Sequence, residues 1–401
     1  MASETLSINP NEKIILDAVL RFGALSRRDL VRITGFSRGK VNQLIEPMSD
    51  RGYLLFNTKT TSSGGRRPEA VRINEQLGAV IGIDLGATSL DIVLADLAGN
   101  ILERSCEDSD VRLGPEPVLT HIVEKIYELL AACGMGAERL LAVGIGLPGP
   151  VEYTSGTLVS PPIMPGWGGY PIKKFFAAPF PNARVVVDND VNVMAIGELH
   201  AGAGKRARNF LFVKIGTGIG CGIICEGQIY RGSQGCAGDI GHICVDPEGP
   251  VCWCGNTGCL EALAGGRAIG ERATNLAQNG ETTRLSRRLT LNPDGLKAED
   301  VGIAAAEGDA IALALISDSG RMVGEVLAGL INFFNPESIF IGGGVTNFGD
   351  ILLSAIRLSV LRRSLPLATR KLMIQYSTLG SDAGVMGAIY LAIENVFVLG
   401  E

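Results

Sequence analysis

No apolar run in the 401-residue sequence approaches the roughly 20 residues needed to span a bilayer. The opening MASETLSINPNEK lacks the basic-then-apolar pattern of a secretory leader. Both absences point to a cytoplasmic protein. The nine cysteines are an odd number, and Cys133, Cys221 and Cys225 sit in apolar contexts, so a secreted disulfide framework is excluded and most of the thiols read as reduced core residues. What is present is a chain 46% hydrophobic and 19% charged, long enough for two to four domains with their own cores.

Charge is unevenly placed. Residues 1–74 carry twelve Lys and Arg against seven Asp and Glu, a net of +5, whereas the remainder carries 24 against 35, a net of −11. A basic head on an acidic body suits a module that meets a polyanion while the rest of the chain repels it; an ordinary basic surface has the same composition. Within the head, Ile14, Ile15, Ala18, Val19 and Phe22 recur at helical spacing. Ser26 and Asp29 form a capping-box start for a second helix ending at Thr34-Gly35, and Ser37 caps a third whose apolar stripe is Val41, Leu44, Ile45 and Met48. Helix, glycine turn, helix predicts a helix-turn-helix.

Arg38 and Lys40 lie in the first turn of that third helix, where the macrodipole disfavours cations by roughly a few tenths of a kcal/mol. DNA phosphates and base edges would favour them, with Arg38, Asn42 and Gln43 opposite the apolar stripe. Pro47 predicts a bend or an end to the helix, since an interior proline costs about 3 kcal/mol. A strand at 53–56, a loop, and a returning strand at 71–73 complete a winged helix-turn-helix, and Arg66 and Arg67 in the wing or linker can either enter a minor groove or stay solvated.

In the body, Asp84-Leu85-Gly86-Ala87-Thr88 joins two strands, a turn in which backbone N–H groups and Thr88 can approach a phosphate with Asp84 near its metal. Gly216-Thr217-Gly218 repeats that arrangement, and a later strand opens onto Gly342-Gly343-Gly344, which suits close packing on a base or ribose. A duplicated α/β body clamping a nucleotide follows. Val185–Val187 is a buried strand ending at Asp188-Asn189-Asp190, where side chains face the ligand crevice of an open sheet. Asp190 is a candidate general base and Asn189 a candidate hydroxyl binder, with one of the three also serving as a helix cap. Finally, Cys252-x-Cys254-x4-Cys259 with His242 upstream is a Cys3His set suited to a structural, tetrahedral zinc with no ligand position left open.

Taken in order, IGIDLGATSLD, VDNDVNVMAIGE, KIGTGIGCGII, GDIGH followed by CWCGNTGCLEALAGG, IGGGVTNFGD and SDAGVMGAIYLA resemble the ROK family of sugar-responsive repressors and sugar kinases, over 82–392. Only the repressors of that family have a winged head like residues 10–74. The resemblance implies a two-lobed actin-like body: a first lobe at 78–188 completed by the C-terminal 382–401, and a second at 189–381 with the zinc loop and a dimer interface. It also implies that Asn189, Asp190, Asp239, His242 and Glu261 bind sugar hydroxyls. His242 would use one ring nitrogen for sugar and the other for zinc, and Asp190 would take the hydroxyl proton in a kinase using Mg-ATP. Two positions depart from the family kinases, which have Glu where Asp239 stands and Gly where Ala87 stands; both changes tell against phosphoryl transfer, which depends on positioning.

The resemblance thus implies a homodimeric regulator, most often a repressor, that binds a pseudo-palindromic operator and senses a sugar, with an ATP-dependent sugar kinase as the alternative. Three segments stay open at this level. Trp167 either shields the sugar or packs in the core, 280–300 reads as an exposed polar insertion, and the apolar helix 311–334 suits either core or interface.

Overall fold

The computed structural model describes residues 6–57, 69–161, 163–280 and 283–400. They form two compact units, 1–201 with 384–401, and 202–383. The division falls after Ala201 rather than after Asp188, so the helix following Asn189 belongs with the first unit.

The head begins with helix Pro10–Phe22, whose Asn9 cap accepts N–H bonds from Asn11 and Glu12 while Glu12 returns the bond. Helix Arg27–Thr34 starts at the Ser26–Asp29 box and stops at Gly35, which adopts φ +73°. Helix Arg38–Asp50 starts at Ser37 and buries Val41, Leu44, Ile45 and Met48. A sheet of Leu25–Ser26, Ala70–Ile73 and Leu54–Asn57, in that spatial order, completes a winged helix-turn-helix. Arg66 and Arg67 lie outside the described residues.

Two expectations are corrected in the head. Pro47 does not end the third helix, which runs on to Asp50. The carbonyl left without a donor is that of Gln43, on the exposed side where water can satisfy it. In the first helix Ile14 and Phe22 are exposed, and the buried stripe is Ile15, Leu16, Ala18, Val19 and Leu20.

The first unit's five-stranded sheet runs Arg184–Asn189, Leu140–Leu147, Ala79–Leu85, Ser89–Asp96, Ile101–Asp108. The first three are parallel and the last two form an antiparallel meander. Central strands are almost wholly buried and read as continuous apolar runs, as covered sheets require; the edge strand Ile101–Asp108 is polar and exposed. The C-terminal helix Ala383–Glu394 packs on the sheet through glycines: a Cβ at Gly82 would lie 2.7 Å from Ile389 N, and one at Gly144 2.2 Å from Ala388 O. Trp167 is fully buried beneath this sheet's core residues and donates its indole N–H to Val111 O at 2.9 Å. It is a packing residue.

The second unit repeats the plan with Gln228–Ile229, Ile219–Cys225, Phe210–Ile215, Ser338–Gly342 and Met373–Tyr376. Again two antiparallel strands lead into parallel neighbours. Helix Ala310–Phe334 is core: Leu315, Ile316, Val323, Leu327 and Ile331 are buried, and Gly320 and Gly324 bring it onto the backbone of Asp350–Arg363. The 280–300 region is largely exposed, as expected, but it carries structure of its own. It contains helix Arg284–Leu291 with Leu285 buried, and the carboxylate of Asp309 accepts backbone N–H bonds from Arg284 and Leu285 as well as from Ile311 and Ala312. Among the described residues no helix is long and apolar enough to cross a membrane.

Candidate functional site

The chemistry-bearing residues of the second unit gather around one strand, Ile219–Cys225. Gly238, at φ +100°, lets the chain pass so close that a Cβ there would stand 1.7 Å from Cys221 O, and Gly241 is pressed in the same way on Ile219 O. Between them the short turn Ile240–His242 starts at Asp239, whose exposed side chain makes no capping bond. Helix Leu260–Ala264 follows Cys259 directly, and the Glu261 carboxylate accepts the Ile219 N–H at 3.0 Å. Glu261 also reaches the Gly216–Gly218 turn, because a Cβ at Gly218 would lie 2.1 Å from its Oε2. The fold therefore brings Asp239, His242, Glu261 and that glycine turn to one end of one strand.

His242, Cys252, Cys254 and Cys259 place one ligand atom each within 4.8 Å of one another. Cys252 Sγ stands 3.7 Å from His242 Nδ1, and Cys254 Sγ 3.7 Å from Cys259 Sγ. With metal–thiolate bonds of about 2.3 Å, a tetrahedral centre has S···S edges of about 3.8 Å, so the donor set fits a metal ion. Nδ1 faces the cluster, leaving Nε2 as the ring nitrogen available to a ligand. The loop is shaped for this: Gly258, at φ +70°, has Asp246 O where a Cβ would sit. Burial raises the Cys252 thiol, and burial together with the neighbouring thiols pushes Cys259 up to about 12, whereas the Asn256 N–H lowers Cys254. Two of the three thiols thus resist ionisation until a cation stands among them. Cys244, which sequence reasoning passed over, pairs by backbone with Cys259 but its thiol is not in the cluster.

In the first unit Asn189 caps helix Asp190–His200, accepting from Val191 N at 2.9 Å, and donates its amide to Gly149 O at 3.0 Å. One amide N–H is left for a ligand. Asp188 is buried and accepts from Asn192 Nδ2 at 2.9 Å, and Asp190 is buried at the first helical position. Asp84, next to last in its strand, lies against the C-terminal helix: a Cβ at Gly384 would lie 1.9 Å from Asp84 Oδ2. Gly86 closes the turn by donating to Ser89 O, and Thr88 is exposed.

The glycine cluster is only partly open. Gly342 makes room for the Phe212 ring and Gly343, at φ +93°, for Ile215 O, so the protein itself accounts for both; Gly344 alone faces open space. Gly216 and Thr217 accept backbone bonds from Gly266 and Arg267. On the head, Arg38 and Gln43 are exposed and Lys40 is half-buried, while Asn42 Oδ1 is held by Arg27 Nε at 3.1 Å. Arg27 itself pairs with Glu69 at 2.6 Å and lies over the Phe56 ring. A 430 Å³ cavity of the first unit, lined by Tyr153, Lys173, Arg184 and Asn395 among others, contains none of the expected ligand residues.

The ROK family profile matches residues 80–395. A xylose repressor of Caldicellulosiruptor bescii is 29% identical, with all of this chain and all of that protein aligned. A glucokinase of Halalkalibacterium halodurans is 36% identical but covers 78% of this chain and 94% of its own length. Among solved structures, a ROK family transcriptional regulator described as a homolog of the E. coli MLC protein superposes with a TM-score of 0.81 at 28% identity, covering 96% of this chain and 95% of that one.

Proposed function

The chain belongs to the ROK family, with a winged-helix head and a duplicated actin-like α/β body, and from this we infer that it is a sugar-responsive transcriptional regulator of the repressor type. The observation that carries the reading is coverage: the repressor relative aligns with head and body alike, whereas the glucokinase relative aligns with 78% of the chain. Residues 1–74 would bind operator DNA through Arg38, Lys40 and Gln43, and the body would take a sugar on Asn189, Asp190, Asp239, His242 and Glu261. Zinc is the metal the Cys3His set selects, and its role is structural: it holds the His242 loop and fixes the imidazole with Nε2 outward. A homodimer presenting two heads to a pseudo-palindromic site, in the cytoplasm, completes the reading.

The test is fluorescence anisotropy on a duplex selected by the protein from a random pool, with and without D-xylose or D-glucose. A sugar-dependent change in DNA affinity is expected; failure to select any duplex would overturn the reading. A second reading, phosphoryl transfer with Asp190 as general base and Mg-ATP as donor, is favoured by the 36% identity to a glucokinase and by the retained Asp84, Gly86 and Thr88. ADP release with magnesium-ATP over a sugar panel decides it, a rate near 1 s⁻¹ marking about the lower end of kinase turnover.

A further inference from the structure

Helices Asp190–His200 and Ala383–Glu394 are in direct backbone contact. A Cβ at Gly387 would lie 1.7 Å from Val193 O and 3.0 Å from Gly197 N, so the two backbones touch without side chains between them. Both helices start at residues with proposed ligand roles, Asn189 and Asp190 for one, Asp84 beside Gly384 for the other. Both end at a single pair, a buried histidine and a half-buried carboxylate. His200 Nε2 bonds Glu394 Oε1 at 2.7 Å, and its ring stacks on Tyr390 at 4.6 Å between centroids. The span from Asp190 to His200 is about 15 Å at 1.5 Å per residue.

What covers this pair is the head. Helix Pro10–Phe22 packs on helix Asp190–His200, and the Glu394 carboxylate acts electrostatically on the Asp17 carboxylate of the head helix. Asp17 is in turn bonded to Lys13 at 2.7 Å. Around it, Ser7–Ile8 pairs in parallel with Val398–Leu399, and Tyr53 meets the edge of Phe397 at 5.2 Å. His200 is the least expected residue in this junction. It is 4% exposed and its Nδ1 has no hydrogen-bond partner among the described residues, so a junction shaped for stability alone would hold an apolar side chain here.

We propose that His200 and Glu394 are the joint through which sugar occupancy at Asn189 and Asp190 is passed to the DNA-binding head, with helix Asp190–His200 as the lever and Asp17 as the point of contact. A shift at the helix start is carried along its axis because the glycine contact with the C-terminal helix prevents bending. At the far end it changes a polar pair that bears directly on the head. The proposal rests on the regulator reading above.

The experiment measures three quantities for wild type, His200→Phe, Glu394→Gln and the double variant: sugar affinity by calorimetry with D-xylose and D-glucose, DNA affinity without sugar, and DNA affinity with saturating sugar. The selected duplex serves as probe. Wild type is expected to show a sugar-induced change in DNA Kd within the roughly 5–150-fold range of allosteric coupling, and the variants less than about twofold. Sugar affinity and sugar-free DNA affinity stay within about twofold of wild type, and the double variant loses no more than either single one, as members of one coupled pair should. Glu394→Gln, at a partly exposed position, carries the test alone if His200→Phe does not fold. Both variants keeping the wild-type ratio overturns the proposal, as does loss of sugar binding in parallel with loss of coupling. A wild-type protein that binds DNA and sugar without any coupling overturns the regulator reading itself.

Discussion

The Nδ1 atom of His242 stands 3.7 Å from the Sγ atom of Cys252, which commits that nitrogen to the thiol cluster and turns Nε2 outward. A metal would therefore set the tautomer and the direction of a residue proposed above to bind a sugar hydroxyl.

Purified protein is expected to hold about one zinc per chain, since a Cys3His set forms one tetrahedral centre. Cys254→Ser or a strong chelator should remove it and weaken sugar binding, as read by metal analysis and calorimetry. Binding must displace a proton from Cys259, whose thiol lies up at about 12 without a cation, so zinc content should fall as pH is lowered. Sugar affinity indifferent to chelation would separate the metal from the sugar site.

Trp167→Ala should cost about 3–5 kcal/mol of stability, the range for truncating a large buried aromatic. The indole also loses its bond to Val111 O. Sugar affinity of the remaining folded protein should be unchanged; a specific loss of sugar binding at constant melting temperature would place Trp167 at the ligand after all.

On the head, Arg38→Ala should weaken DNA binding similarly for all sequences and reduce the salt slope by about 1, the signature of one lost phosphate contact. Gln43→Ala should relax base preference at one position. Asn42→Ala acts differently, because its side chain holds Arg27; it should lower the head's stability, visible as a lower melting temperature of the isolated first transition or of the whole chain.

Burial raises the Asp17 carboxyl above its ordinary 3.8 despite the Lys13 ammonium beside it, with Glu394 adding to the rise. A raised folded value means the fold prefers the protonated acid. That preference stabilises fully below 3.8 and is lost as pH rises through the folded value. Asp17→Asn should therefore melt higher than wild type at neutral pH, and the gap should close as pH falls toward 3.8. A gap independent of pH would mean that the carboxylate charge is not what the substitution removes.

Much of the head was legible without coordinates because its signals are local. The Ser26–Asp29 box, Gly35 and the Val41–Met48 stripe each lie within a few residues of what they determine, and each stands where periodicity and capping put it. That the helix runs past Pro47 has a local cause too: the proline and the Gln43 carbonyl lie on the exposed face opposite that stripe, where water can take the place of the missing donor. The cysteine cluster was equally readable, since four ligands within eighteen positions of sequence leave few ways to arrange them, and the observed edges fit one metal.

What the chain alone determined, then, was the list of parts: a capped helix-turn-helix, two copies of a strand–turn–strand body, and a thiol-rich loop beside carboxylates. Only the tertiary structure decided which glycines face open space, as Gly344 does, and which make room for the protein itself, as Gly342 does for Phe212. It also decided that Trp167 is core and that Asn189 is the cap among its three neighbours. The His200–Glu394 bond joins residues 194 positions apart, and no spacing rule reaches that far. Helical and strand periods describe contacts within a turn or a pleat, whereas a pair brought together by the packing of two helices exists only once the sheet on which both helices lie has formed.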